Sequence, residues 1–406
     1  MFPFLGAASQ PLPPSQDPWY TAPAGFETKQ PGDILQIRPA PGDLAARVEN
    51  ASAVYNILYR TTDSRYKPSW AVTTLFLPSS YSTSPSRSRL MLSYQFAYNT
   101  ADLDSSPSYN LYFETANADI GTKSNLVLLS TSLAQGWIVN SPDYEGPTAS
   151  FGASVQAGHA TLDSIRAVLN LGHLTGASDI KVAMWGYSGG TIATEAAAEL
   201  QVQYAPELHL AGAVLGGQVD DLSASFDLIN KSPIAATMIA ALLGVTTQYP
   251  EAAAYLRSRL IPETANEFLG VRNMKVFDAV KHFMMKDVYR YFINGKEDLQ
   301  EPVLQRVFNV EMKLGYHGVP AMPMFIYKAV KDQYCPIHLT DALVERYRGV
   351  GADITYERNV VGGHVAEIEN GKQRAIDWLW RVFVGSYFPS GGEVRDVEIK
   401  ISPLDS

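Results

Sequence analysis

A glycine–serine–glycine pattern near the middle of the chain is the first candidate for chemistry. The stretch GYSGG fits G-x-S-x-G with Gly186, Ser188 and Gly190. Chance supplies the bare pattern in roughly one chain in five of this length, so its setting must carry the argument. An apolar strand is predicted at 181–185 and an alanine-rich helix at 191–202, and a sharp turn between them would expose the serine hydroxyl. Ser188 is therefore the candidate nucleophile; the alternative is a glycine-rich turn with an incidental serine.

A serine hydroxyl becomes a good nucleophile only when a base accepts its proton, and histidine is the usual base. The chain has seven histidines. His364 lies in NVVGGHVAEIENG after the last predicted strand, where Gly362 and Gly363 allow a close approach and where chain order places the base. The other six fit surface, core or cap positions: His159, His173, His209, His282, His317 and His338. The alternative for His364 is an ordinary loop histidine.

The acid that orients the histidine should lie between the serine and the histidine, directly after a core strand. In MFIYKAVKDQYCP, Asp332 occupies that place. Asp341 lies further along, in a predicted helix, and Asp353 precedes the final predicted strand, so both are expected to be solvated carboxylates. Asp332 is therefore the candidate acid; the alternative is a simple turn residue.

A serine nucleophile also needs two donors for the oxyanion that forms during attack. The backbone N–H of Gly189, directly after the serine, is the first candidate. The second should come from the loop at 97–107, which follows the early buried strand LMLSYQF. Asn99 is the best-placed side chain in that loop. The alternative is a surface asparagine.

These residues require a sheet whose strands end at one edge. Aromatic and β-branched runs predict strands at 53–59, 70–77, 90–96, 137–141, 181–185, 210–215, 323–330 and 354–357. Spacing of apolar residues by three and four predicts helices at 126–134, 157–171, 191–202 and 374–384. Strands that alternate with helices indicate a mostly parallel sheet flanked by helices, an α/β class. With the nucleophile turn, this predicts the α/β-hydrolase fold.

The domain organisation follows from where this alternation is interrupted. Residues 1–50 are rich in proline and predict a surface arm, and 391–406 form a tail. The core is expected at 51–220 and 312–390. Between these parts, residues 221–311 are helix-rich and predict an inserted helical cap; the alternative is a set of ordinary outer helices.

Composition narrows the class of protein. The 406 residues are 46% hydrophobic and 18% charged, with a net charge of −9, which argues against nucleic acid as a partner. No run approaches the length of a membrane-spanning helix.

The single cysteine, Cys335, excludes an intrachain disulfide and a cysteine-based metal site, and no motif indicates a cofactor. The start lacks the pattern of a secretory signal, so an intracellular location is slightly favoured over secretion. The oligomeric state is not predicted.

Several stretches resemble the fungal secretory lipases of the Candida antarctica lipase A type. They include DPWYTAP, LYRTTDS, SYQFAYNTADLDSSPSY, GWIVNSPDYEGP, GYSGG with YAPELHLAGAVLGG, KDQYCP and GGHVAEI, and they are spread over most of the chain. The resemblance implies a catalytic triad that maps onto Ser188, Asp332 and His364. It also implies a helical cap over an acyl-binding tunnel, which corresponds to residues 221–311.

Two departures from that family refine the expectation. The family lipase carries an aspartate in the oxyanion loop where this chain has Asn99, and an amide donates at any pH whereas a carboxyl donates only when protonated. An acid preference that depends on this position should therefore be weaker here. The cysteines expected for disulfides are also absent, which favours an intracellular member that acts on an ester of a secondary metabolite.

Three functions remain open at this level. The first is hydrolysis of a carboxylic ester, either a lipid or a small molecule, through a Ser188 acyl-enzyme. The second is transfer of the same acyl group to an alcohol of a metabolite. The third is a non-catalytic binding protein on the same fold, which intact triad candidates argue against.

Overall fold

One sheet contains strands that come from nearly the whole length of the chain. The computed structural model describes residues 11–85, 87–112, 120–177, 179–389 and 391–403, and the side chains of 120–125 are outside this description. The ends of the predicted arm and tail, residues 1–10 and 404–406, are also outside it. The strands in the described part are Ile34–Pro39 (β1), Ala51–Thr62 (β2), Pro68–Pro78 (β3), Arg89–Gln95 (β4), Ile138–Pro142 (β5), Ile180–Tyr187 (β6), Leu210–Gly216 (β7), Met324–Ala329 (β8), Ile354–Asn359 (β9) and Glu393–Val397 (β10).

The sheet is mostly parallel, as predicted. The strand order is β1-β2-β3-β5-β4-β6-β7-β8-β9-β10. The pairs β1–β2, β2–β3 and β3–β5 are antiparallel, and the pairs from β5–β4 to β9–β10 are parallel. Because parallel strands run the same way, the carboxyl ends of β4, β6, β8 and β9 meet at one edge of the sheet. The candidate site residues follow those ends.

Helices cover both faces of the sheet. They are Leu44–Arg47 (α1), Pro107–Asn110 (α2), Ile120–Ala134 (α3), Ser154–Leu169 (α4), Gly172–Thr175 (α5), Gly190–Tyr204 (α6), Phe226–Ile229 (α7), Ala235–Thr246 (α8), Pro250–Ser258 (α9), Pro262–Leu269 (α10), Val276–Phe283 (α11), Pro302–Glu311 (α12), Ile337–Gly349 (α13) and Ala366–Val384 (α14). Short 3₁₀ segments lie at Pro18–Tyr20, Phe26–Thr28, Leu103–Ser105, Gly146–Thr148, Gly270–Asn273, Val288–Tyr291 and Gly295–Gln300. None of the helices in the described ranges combines the length and apolarity that crossing a membrane requires.

Alternation along each strand divides the core into two layers. Met184 and Ile326 pack on one face with residues of α4, α6 and α13. Trp185 and Phe325, their neighbours in sequence, pack on the other face with residues of α1, α3 and α14. Successive side chains of a strand point to opposite faces, so a strand buried on both sides reads as a continuous apolar run. This explains why the predicted central strands coincide closely with the observed ones.

The chain between β7 and β8 forms helices α7 to α12. These helices have an apolar cluster of their own, which includes Phe268, Phe283 and Phe308, together with Phe151 and Ile192 from outside the segment. The cluster continues to the nucleophile helix α6, which carries Ile192. The segment is therefore packed against the site end of the sheet.

Two strands lie in regions that were predicted to be outside the sheet. β1 lies within the predicted arm and β10 within the predicted tail, and each pairs along an edge, with β2 and β9 respectively. The arm and tail predictions were wrong for these residues. The side chains of β1, ILQIRP, are partly buried or exposed and those of β10, EVRDV, are mostly exposed, and backbone pairing with a neighbouring strand holds each of them. An edge strand of this kind has little hydrophobic signal.

The last helix, α14, begins at Ala366, which is eight residues before the predicted start at 374. Its first turns contain polar residues that are nevertheless buried, including Glu367 and Asn370. Glu367 accepts hydrogen bonds from Arg374 and Asn359. Buried polar groups are satisfied by partners from distant segments, and a periodicity of apolar residues does not report them.

A buried carboxyl group joins the end of β5 to α2. Asp143 accepts hydrogen bonds from the Ser108 backbone N–H at 2.9 Å and from the Ser108 hydroxyl at 2.5 Å. Burial raises the pKa of Asp143 to about 7, although both hydrogen bonds act in the opposite direction. The folded protein therefore holds the proton of this carboxyl more tightly than the unfolded chain does, and its stability falls as pH rises from about 4 to about 7.

Asp143→Asn should remove this pH dependence. The free energy of unfolding of the variant, relative to that of the original protein, should increase by roughly 2–3 kcal/mol between pH 5 and pH 8, from about 1.4 kcal/mol per pKa unit. Urea denaturation at the two pH values measures the difference, with the exposed Asp377→Asn as control. If the free energies of unfolding of the variant and the original protein differ by the same amount at pH 5 and at pH 8, Asp143 is already ionised in the folded state at pH 5.

Candidate active site

The turn between β6 and α6 holds Ser188 in a strained conformation. Its φ of 52° lies in the left-handed region, which non-glycine residues seldom adopt. Small neighbours make the turn feasible: a Cβ on Gly186 would lie 2.4 Å from the Gly190 carbonyl, and one on Gly190 would lie 2.1 Å from the Gln95 carbonyl. The glycines of GYSGG thus allow the close backbone approach that the sharp turn requires.

The structure brings Ser188, His364 and Asp332 together. His364 lies between β9 and α14, and its Nε2 is 2.8 Å from the Ser188 Oγ, which can donate to it. On the other side of the ring, Nδ1 lies 2.7 Å from Asp332 Oδ2 and can donate to that oxygen. Asp332 and His364 are 9% and 7% exposed. The arrangement can move a proton from the serine to the imidazole and stabilise the imidazolium that results.

The surroundings of Asp332 keep it ionised. Its Oδ1 accepts from the backbone N–H groups of Tyr334 at 3.0 Å and Cys335 at 2.9 Å, which leaves Oδ2 for the histidine. Burial acts to raise the pKa of Asp332, but the charge of His364, its hydrogen bond and the charge of Lys328 together lower that pKa below its usual value. An acceptor that stays charged holds the imidazole in the tautomer that leaves Nε2 free to accept.

Three residues that support the site were not predicted from the sequence. Tyr187 donates its hydroxyl to the His364 carbonyl at 2.5 Å, and Gln333 accepts from the His364 backbone N–H at 3.1 Å. Lys328, fully buried on β8, donates to the Gln218 carbonyl and the Thr340 hydroxyl. A lysine inside the apolar run MFIYKAV was the available signal for Lys328. Tyr187 and Gln333 adjoin Ser188 and Asp332, but nothing in the sequence indicates where their side chains point.

Asn99 and Gly189 lie against each other beside the serine. Asn99 has a φ of 39°, and a Cβ on Gly189 would lie 1.8 Å from the Asn99 Oδ1. That oxygen is buried and has no hydrogen-bond partner within the described structure. Gly189 precedes the first turn of α6, where backbone N–H groups are not used by the helix itself. The Gly189 backbone N–H, which the helix does not use, can therefore serve an oxygen held near Ser188, and the Asn99 side chain lies beside it with its Oδ1 rather than its NH₂ nearest to Gly189.

A cavity of about 530 Å³ contains this site. Ser188, Gly189, Asn99 and His364 line it, together with apolar side chains from the sheet and from the helical segment. Phe96, directly after β4, and Trp185 on β6 contribute to this wall, and Leu222, Ile229, Ile234 and Val280 contribute from the segment between β7 and β8. Apolar walls with a few convergent polar groups are typical of sites for small organic ligands.

One group of potential metal ligands was found among the described residues. Asp332, Cys335 and His364 are buried, and their ligand atoms lie within 4.8 Å of one another. Asp332 and His364 are hydrogen-bonded to each other, and burial raises the pKa of the Cys335 thiol to about 12. A metal binds the thiolate, which is costly to form here. The donor set therefore fits a histidine–carboxylate pair better than a metal centre.

The chain is similar in sequence and in fold to known esterases and lipases. A protein of Stachybotrys chartarum, named a probable trichothecene esterase, is 56% identical over 396 residues, which cover 97% of this chain and 82% of the relative. The trichothecene C-3 esterase of Fusarium sporotrichioides is 45% identical and covers 94% and 87% of the two chains. The closed-state crystal structure of Candida antarctica lipase A superposes with a TM-score of 0.84 at 27% identity, covering 97% and 91%.

The family model described as secretory lipase matches residues 112–391. The name of this family supports secretion, which the sequence analysis placed second to an intracellular location. The comparisons do not support an intracellular location. The predicted fold and class of reaction are confirmed. The chain belongs to the secretory lipase family, and it is a carboxylic ester hydrolase with the α/β-hydrolase fold.

Proposed function

We propose that this protein hydrolyses an ester of a compact secondary metabolite through an acyl-enzyme on Ser188. The observation that carries the catalytic assignment is the continuous hydrogen-bonded chain from Ser188 Oγ through His364 to Asp332. In this proposal Ser188 is the nucleophile, His364 the base and Asp332 the orienting acid. The Gly189 N–H and the Asn99 amide bind the oxyanion.

The reaction proceeds in two halves. The Ser188 Oγ attacks the ester carbonyl carbon while His364 Nε2 takes the hydroxyl proton, and the carbonyl oxygen becomes the oxyanion. When the tetrahedral intermediate collapses, His364 passes the proton to the departing alcohol oxygen and the acyl group stays on Ser188. Water then enters, loses a proton to His364, and releases the acid by the same steps.

The proposed substrate class follows from the cavity and the relatives. A cavity of about 530 Å³ is within the range that encloses a drug-sized molecule. Helices from residues 221–311 contribute a large part of its apolar wall, which is the role we propose for them as a cap. Two similar proteins carry the name trichothecene esterase. We therefore propose an acylated terpenoid alcohol of the trichothecene kind as the substrate, rather than a long-chain triacylglycerol.

An ester panel with a covalent label tests this proposal. A fluorophosphonate should label the protein at Ser188, and an acetylated trichothecene should be cleaved with a higher kcat/KM than an emulsified long-chain triacylglycerol. Absence of the label would overturn the catalytic assignment, and a preference for triacylglycerol would overturn the substrate. Product analysis in the presence of a competing alcohol should give free acid, and formation of the new ester as main product would indicate acyl transfer instead.

Asn99 offers a separate prediction about pH. Asn99→Ala should lower kcat by about 10²–10³-fold, the usual effect of losing one oxyanion donor. Asn99→Asp should retain activity in acid but lose it as pH rises, because a carboxyl group donates only while protonated. The ratio of kcat values for Asn99→Asp and the original protein, measured from pH 4 to pH 8, should fall steadily. A ratio independent of pH would show that the side chain at position 99 does not donate to the oxyanion.

A further inference from the structure

The main chain of His364 is bonded on two sides to the sequence neighbours of Ser188 and Asp332. Tyr187, directly before Ser188, donates its hydroxyl to the His364 carbonyl at 2.5 Å. Gln333, directly after Asp332, accepts from the His364 backbone N–H at 3.1 Å through its Oε1. The peptide groups on both sides of the His364 Cα are therefore attached, one to the nucleophile turn and the other to the turn that carries the acid.

The ring of Tyr187 has little freedom to move, which fixes the direction in which its hydroxyl points. The residue is 7% exposed, and a Cβ on Gly216 or on Gly217 would lie 2.5 Å or 2.8 Å from atoms of its ring. Burial, and then the neighbouring Tyr327 and Asp332, raise the pKa of Tyr187 well above the usual range of a tyrosine. The hydroxyl therefore stays protonated and can donate to the carbonyl at any working pH.

Gln333 makes the second attachment from the side of Asp332. A Cβ on Gly363 would lie 2.7 Å from the Gln333 Oε1, so this oxygen lies directly against the backbone that leads into His364. The Gln333 side chain is otherwise exposed, and water can take the place of its oxygen if it is removed. Water has no such access to the buried hydroxyl of Tyr187, so the loss of that hydrogen bond should cost more.

The chemistry requires a support for His364 that does not depend on Ser188. In the free protein the imidazole is hydrogen-bonded to Ser188 at Nε2 and to Asp332 at Nδ1. In the acyl-enzyme the Ser188 Oγ carries the acyl group and has no proton to donate. The ring is then held by Asp332 alone, at the stage where Nε2 must take a proton from water. The two main-chain bonds remain in place throughout.

We propose that Tyr187 and Gln333 are positioning residues, which hold the main chain of His364 and so keep its imidazole aligned in both halves of the reaction. This inference rests on the proposed function, because it takes His364 as the base. The Tyr187 hydroxyl and the Gln333 amide act through the histidine and not on the ester itself. Of the two, Tyr187 has the larger effect, because its hydrogen bond is buried.

Tyr187→Phe removes one oxygen and keeps the ring, which also lines the cavity. It should lower kcat for a short p-nitrophenyl ester by about 5- to 50-fold and change KM by less than about twofold, because the lost bond aligns the base and does not bind the ester. Gln333→Met has a similar length without an acceptor, and should lower kcat by only about two- to fivefold. An unchanged kcat in Tyr187→Phe would overturn the proposal.

A buried tyrosine outside the cavity provides the matched control. Tyr59 on β2 is fully buried, and its hydroxyl donates to the Ala160 carbonyl at 2.8 Å. Tyr59→Phe therefore removes the same kind of bond as Tyr187→Phe, from a tyrosine hydroxyl to a backbone carbonyl. Both variants should lower the melting temperature by a similar amount, but Tyr59→Phe should retain kcat within about twofold. Equal losses of kcat would show that Tyr187 contributes only to general stability, and would overturn the proposal.

A double-variant cycle with His364→Ala gives the decisive result. If the Tyr187 hydroxyl acts through His364, adding Tyr187→Phe to His364→Ala should change the residual rate of ester hydrolysis by less than about twofold. Fully additive losses would contradict the inference.

Fluorophosphonate labelling keeps this inference apart from the proposed function. Failure of the proposed function would appear as an unlabelled Ser188 in the original protein, or as His364→Ala with the original kcat. Failure of the inference alone would appear as normal labelling and an inactive His364→Ala, together with an unaffected kcat in Tyr187→Phe.

Discussion

Replacing Ser188 with alanine is expected to lower kcat for a short p-nitrophenyl ester on the order of 10⁵–10⁶-fold, while KM changes only a few-fold. The Ser188 Oγ is the one atom that forms the covalent bond to the acyl group in the proposed mechanism. His364 and the oxyanion donors remain in the variant, but they then act only on a water molecule, which is not held in the position of the hydroxyl. Initial rates at saturating ester, with enzyme at micromolar concentration, measure a loss of this size.

The control for this variant is Ser258→Ala, an exposed serine at the end of α9. It should retain the original rate, and both variants should keep the original melting temperature within a few degrees. Alanine carries the same Cβ as serine and meets the same strain at this φ of 52°, so the replacement should change the stability of the fold little. Turnover by Ser188→Ala at the original rate would contradict its assignment as nucleophile, and would leave the non-catalytic or another catalytic hypothesis in its place.

Asp332→Asn is expected to lower kcat about 10⁴-fold at neutral pH. An asparagine can still accept from the backbone N–H groups of Tyr334 and Cys335, but its NH₂ then faces His364 Nδ1. That contact favours the tautomer with the proton on Nε2, and an Nε2 that carries a proton cannot accept one from Ser188. The loss should appear in kcat rather than in KM, because the substrate does not touch Asp332.

Two other aspartates provide matched controls. Asp341 lies on α13 and accepts from the Tyr356 hydroxyl at 3.0 Å, and Asp353 accepts from the Tyr387 hydroxyl at 3.0 Å. Asp341→Asn and Asp353→Asn remove the same charge from the same part of the chain, and each should retain kcat within about threefold, because these partly buried carboxylates bond to Tyr356 and Tyr387 rather than to His364. A large loss of kcat in either control, with activity kept in Asp332→Asn, would contradict the assignment of the acid.

Some strands and helices were predicted more accurately from the sequence than others, and the difference has a physical reason. The central strands β4, β6, β7 and β8 were predicted within a few residues, because burial on both faces demands a continuous apolar run. The edge strands β1 and β10 were not predicted, since backbone pairing holds them and none of their side chains is fully buried. The start of α14 was missed because its buried first turns are polar and find partners on β9 and near the carboxyl end of the chain.

In the candidate site, too, some residues were predicted from the sequence and others were not. Chain order and local turn chemistry were enough to select Ser188, Asp332 and His364 out of the available serines, aspartates and histidines, and the structure places them within hydrogen-bond distance. Their catalytic roles remain predictions for the experiments above. The supporting side chains of Tyr187 and Gln333 could not be selected, because their importance depends on which distant groups they face, whereas the position of Lys328 in an apolar run was a signal that was not used.

For this protein, the sequence by itself determined the nucleophile turn. The glycines of GYSGG, an apolar strand before them and a helix after them are local features, and backbone geometry at a tight turn depends on the residues within it. Only the tertiary structure decided the size of the cavity, the edge strands and the hydrogen bonds from Tyr144 and Glu145 to Phe96 and Tyr98 in the segment before Asn99. Those contacts join segments more than 40 residues apart, and close packing, rather than any local preference, sets which side chains meet there.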